Sequence, residues 1–114
     1  MPSIVIRLDP ELLDDPNLDL RYRIPDMIAA RSSGLVAGDG YDYEEETDAM
    51  QIYLQAADLD AALPLVIAFL RTEHLFGNDL ASAATVGISD ADAVDTTEFR
   101  AVFPESASGV IRVP

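Results

Sequence analysis

The sequence predicts an α+β domain, a mainly antiparallel sheet with two helices packed on one face. Three observations lead there. Apolar and polar residues alternate with period 2 in short runs, most cleanly in Ser3 to Leu8 and Met50 to Ala56. Helical stretches opening near Pro25 and after Asp58 fall between such runs. Finally, 49% of the 114 residues are hydrophobic, enough for one core in one domain, residues 1 to 114, despite a formal charge of -14.

Taken in order, Ile4, Ile6 and Leu8 share one side of the first strand. Asp9-Pro10-Glu11 reads as a cap, a Pro at the first helical position and an acid in the first turn. It opens a short helix that Asp15-Pro16-Asn17 closes. Leu18, Leu20, Tyr22 and Ile24 alternate with Asp19, Arg21 and Arg23, which predicts a second strand. Pro25 then begins a helix that runs to Arg31 and stops at Ser32-Ser33-Gly34.

Leu35 to Tyr43 is extended, with Gly38 and Gly40 predicting a bulge. The polar connection Glu44 to Asp48 joins it in a hairpin to Met50–Ala56, whose Gln51, Tyr53 and Gln55 should face away from the core. The principal helix is capped by Asp58 or Asp60, has Pro64 near its first fully helical position, and ends at about Phe76 before Gly77-Asn78. Leu59, Leu63, Val66, Ile67 and Leu70 should form its buried stripe. Ala83 to Ile88 and Phe99 to Phe103 are the remaining strands, and residues 104 to 114 are a loose tail or an added edge strand. A βαβ unit in each half makes this a ferredoxin-like order, with the first and third strands central.

Composition bounds the function. The chain has 21 Asp and Glu against 7 basic residues, all Arg, which argues against nucleic acid as a partner. Cys is absent, so disulfides and thiolate sites are excluded, and the start shows no secretory pattern; the cytosol is the expected compartment. The longest apolar stretch, Ala61 to Leu70, is too short to cross a membrane. Adaptation to high salt, or GC-rich coding, would also yield an acidic, Lys-free chain and make the charge a trait of the organism.

Catalytic chemistry finds little support. His74, the only imidazole, lacks a Gly-flanked Ser partner and reads as a helix C-terminal residue packed on the apolar edge. Asp90, Asp92, Asp95 and Glu98 fail the calcium-loop pattern, since Asp95 stands where Gly is needed and Ala101 where the bidentate acid is needed. Gly38-Asp39-Gly40 matches no phosphate-binding motif. No catalytic residue, metal site or cofactor is therefore expected, and the chain reads as a non-enzyme.

The segment Asp39 to Asp48 is the candidate binding site. Asp39, Asp42, Glu44, Glu45, Glu46 and Asp48 supply steering, while Tyr41 and Tyr43 supply rigid amphipathic contact area, a combination suited to a basic protein. The bland alternative is a solvated acidic loop. Small size, strong acidity, an α+β core and the missing catalytic set together resemble the small bacterial immunity proteins that neutralise basic toxins, nucleases especially. That resemblance implies a non-catalytic antagonist of a basic protein and carries over no individual residue. The competing expectation is a ferredoxin-like regulatory or small-ligand-binding domain, in the form of a homodimer joined at a sheet edge.

Overall fold

The computed structural model describes residues 1 to 114. Strand β1 (Ser3–Leu8) is internal to a six-stranded sheet. The hairpin of β2 (Val36–Tyr43) and β3 (Met50–Ala56) lies on one side of it. On the other side lie β4 (Ala84–Ser89), β5 (Glu98–Phe103) and β6 (Val110–Arg112). The order is β2-β3-β1-β4-β5-β6 and every pairing is antiparallel. β1 and β3 are thus internal, as their alternation predicts, and the C-terminal segment supplies an edge strand rather than a loose tail.

Helix α1 (Leu20–Arg31) corrects the sequence reading, because the strand expected over Leu18 to Ile24 and the helix expected from Pro25 are one helix. Leu20 and Ile24 lie four apart, a spacing that fits either period. Ile28 extends the helical one, and all three are fully buried while Leu18 and Tyr22 are exposed. Pro25 lies inside the helix, where it cannot donate to the Arg21 carbonyl one turn earlier. The expected short helix near Pro10 is a single 3-10 turn, Pro10–Leu12, capped by Asp9.

Helix α2 (Leu59–Thr72) starts and stops earlier than expected. The Asp58 side chain accepts from the Ala61 N–H at 3.2 Å, so the turn ahead of Pro64 is already helical. Beyond Thr72 the chain leaves the helix, and Phe76 adopts a left-handed φ of 55° within the 3-10 turn Leu75–Gly77. His74 therefore lies past the helix end and is exposed, not packed on its apolar edge. The buried stripe is Ala62, Val66, Phe69 and Leu70, with Leu63 and Ile67 at its margin. A short helix α3 (Leu80–Ala83), unforeseen in the sequence, buries Leu80 before β4 begins.

One face of the sheet, with Ile4, Ile6, Leu8, Ile52, Leu54 and Val86, packs against α1 and α2 in the main core. The opposite face should have been open to water, yet Gln51 and Tyr53 on it are buried, at 0% and 8% exposure. The cause is curvature. In a flat sheet β3 and β5 would lie three strand spacings apart, about 14 Å, but the Tyr53 and Phe99 rings stack with centroids 6.0 Å apart. Gly87 permits the roll, since a Cβ there would sit 2.8 Å from Phe99 Cβ, and the β4 to β5 register shifts between Val86 and Gly87. Val5, Tyr53, Phe99 and Ile111 become a second, smaller core inside the curl.

Candidate functional site

The hairpin of β2 and β3 places the predicted acidic segment at one edge of the sheet, and its residues divide into two kinds. Glu44 is turned inward. Its carboxylate accepts from Arg7 Nε (2.6 Å) and Nη2 (3.0 Å), from Gln51 Nε2 (2.8 Å) and from Thr47 Oγ1 (2.9 Å). The Arg7 hydrogen bonds, reinforced by those from Gln51 and Thr47, outweigh burial and hold its pKa at about 2. Gln51 Nε2 also donates to the Arg112 carbonyl at 2.8 Å, and the Tyr53 hydroxyl donates to Gln51 Oε1 at 2.9 Å. Burial, with Asp42 and Glu44 nearby, raises the Tyr53 pKa to about 12, so the phenol stays a donor. This network clasps the hairpin turn to the rolled-over β6, with Glu44 at its centre.

Tyr41, Asp42, Glu45, Glu46 and Asp48 are exposed, and Asp39 is half-buried. None of these carboxylates forms an ion pair. Tyr43 is half-buried, and its hydroxyl accepts from Arg21 Nη1 at 3.3 Å, which raises the guanidinium pKa. Asp48 closes the turn with a left-handed φ of 59°, its N–H donating to the Glu44 carbonyl at 2.9 Å.

Sequence reasoning missed the partner of these tyrosines. Because α1 begins at Leu20, it brings Arg21 and Tyr22 against β2. The guanidinium carbon of Arg21 lies 4.7 Å from the Tyr22 ring centroid and 5.0 Å from that of Tyr41, and the two rings meet edge to face at 5.8 Å. Tyr41 meets Tyr43 in the same manner at 5.9 Å. The result is an aromatic cluster with Tyr22 48% and Tyr41 39% exposed, held in place by contacts within the fold. Its cost is visible in Arg21 Nε, which is buried without a hydrogen-bond partner. The signal that could have found Tyr22 is the four-residue spacing of Leu20, Ile24 and Ile28.

Some backbone groups along the open edge of β2 are already engaged. The Glu44 N–H bonds the Ala49 carbonyl at 2.9 Å, so by antiparallel alternation Tyr41 and Tyr43 direct their backbone groups outward. The outward Tyr43 N–H is taken by Asp42 Oδ1 at 2.8 Å and that of Val36 by Ser32 Oγ at 3.1 Å, while the register shifts between Gly38 and Tyr41. These features blunt an edge against strand addition.

Elsewhere, a groove of about 550 Å³ runs between α2 and β5, with Leu63, Ile67, Val102 and Phe103 among its walls and Asp60, Arg71 and Glu105 as its charged groups. No cluster of three His, Asp or Glu side chains is placed to hold a metal ion, and no helix is long and apolar enough to cross a membrane. No family model, characterised protein or solved structure matches this chain.

Proposed function

We propose that this chain is a non-catalytic acidic protein-binding module that receives a basic protein, in the manner of the small immunity proteins that neutralise basic toxins. The observation that carries the reading is the exposed Tyr22 and Tyr41 pair, fixed by Arg21 and Tyr43 and bordered by unpaired carboxylates. Pre-ordered tyrosines lose little entropy on contact, and surrounding acids accelerate encounter with a cation-rich surface. The net field has the sign such a partner requires, since 21 Asp and Glu outnumber the 7 Arg. A second copy makes a poor partner at β2, since it would set acids against acids at a blunted edge.

Binding kinetics against the protein captured by this chain, at several salt concentrations, test the reading. Glu45→Gln with Glu46→Gln should slow association and flatten its salt dependence. Tyr41→Ala should instead speed dissociation, by about 2 kcal/mol. An acidic partner, or indifference to both changes, would refute the proposal.

The second reading, a ferredoxin-like regulatory or ligand-binding domain, draws on two observations. The order β2-β3-β1-β4, with α1 and α2 as the crossovers, supports a ferredoxin-like core extended by β5 and β6. The groove beside α2 is of a size suited to a small molecule. Thermal stabilisation by a small apolar compound, lost in Ile67→Asp, would favour it.

A further inference from the structure

An apolar socket opens beside the acidic turn. Residues 9 to 19 pack across the ends of β1 and β3 and leave a cavity of about 290 Å³. Leu8, Leu13 and Met50, all buried, contribute its inner wall. Pro10 and Pro16 stiffen the loop around it, because each fixes its own φ. Leu18, 57% exposed, stands at the lip, and Tyr43 joins the socket to the Tyr22 and Tyr41 surface. Asp48 is the one charged residue in its wall, and it makes no ion pair. Glu45 and Glu46 lie in the same turn.

We infer that this socket receives one bulky apolar side chain of the partner, flanked in the partner's sequence by Lys or Arg. The inference rests on the protein-binding reading and names the chemistry of its anchor. An apolar pocket from which a bound side chain displaces water, set beside charged groups, is where binding energy concentrates, and here Asp48 with Glu45 and Glu46 favours cations at the mouth. A second copy is the poorer occupant, because two chains of formal charge -14 repel. Its exposed Leu12, Leu18 and Val94 adjoin Glu11, Asp19 and Asp95 and would bring carboxylates to an acidic mouth, and its one exposed aromatic flanked by Arg, Tyr22, is already held against Arg21 and Tyr41.

The test uses an eight-residue Lys-rich peptide with one central Trp. The chain contains no Trp, so indole emission reports on the peptide alone. Binding should shift that emission to the blue, and the same peptide with Ala for Trp should bind about tenfold more weakly. Leu18→Ser in the chain should weaken the Trp peptide and leave the Ala peptide unchanged. Asp48→Asn, which tolerates the left-handed backbone, should weaken both peptides by the same factor. Equal affinity for the Trp and Ala peptides would overturn the socket while leaving an acidic binding surface in place. So would a dimer of this chain, seen by sedimentation and abolished by Leu18→Ser. Failure of the broader reading shows elsewhere, in a captured partner indifferent to Tyr41→Ala and to the Glu45 and Glu46 changes.

Discussion

Replacing Glu44 with Gln tests whether the most acidic stretch of the chain is structural at its centre. The carboxylate accepts four hydrogen bonds, two of them from the Arg7 guanidinium, and both side chains are largely shielded, with 20% of Glu44 and 27% of Arg7 exposed. Its pKa lies at about 2 against an ordinary 4.5. At ~1.4 kcal/mol per decade the displacement corresponds to about 3 kcal/mol, and solvent on the exposed fifth reduces this to about 2 kcal/mol. Since the folded pKa is the lower one, this stability is fully present above pH 4.5 and is lost as pH falls toward 2. Protonation of the other acids relieves self-repulsion over the same range, so the informative quantity is the difference between the native chain and Glu44→Gln. Urea unfolding followed by circular dichroism at pH 7, 5, 4 and 3 measures it. With m of about 1 to 2 kcal/mol/M for a chain of this size, the midpoint at pH 7 should fall by about 1 to 2 M, and the gap should narrow as pH approaches 3. A midpoint unchanged at pH 7, or a gap that stays constant with pH, would refute the clasp.

Other outcomes follow from packing. Leu70→Ala, at a fully buried position in the main core, should cost about 2 to 5 kcal/mol in the same unfolding assay, and a loss near zero would mean the stripe of α2 is misplaced. Gly87→Ala should cost about 1 to 3 kcal/mol, because the new methyl meets Phe99 Cβ at 2.8 Å and the Val5 and Ile111 side chains at 3.1 Å. Near-ultraviolet circular dichroism should register the change through the Tyr53 and Phe99 stack, and an undisturbed spectrum with undiminished stability would contradict the close approach.

The sequence alone determined the strands with one clean apolar face and the caps with local chemistry. Ile4, Ile6 and Leu8 could face only one core, Gly38 and Gly40 did mark a register shift, and Asp58 capped the helix it precedes. These are decided by neighbours in the chain. The sequence also determined the acidity and placed Tyr41 in an acidic hairpin segment, which is why the candidate surface was partly legible. Tertiary structure decided what depends on distant residues. Leu20 and Ile24 satisfied two periods, and only packing against the sheet chose the helical one, which brought Arg21 and Tyr22 to Tyr41. Gln51 and Tyr53 looked solvent-facing until β5 and β6 curled over them through the gap at Gly87. Glu44 is indistinguishable from Glu45 and Glu46 in sequence, and only the reach of Arg7, 37 residues away, made it a scaffold residue rather than a free charge. Local periodicity fixes which side of an element is apolar, whereas the partners of its polar side chains are set by chain segments that meet only in the folded state.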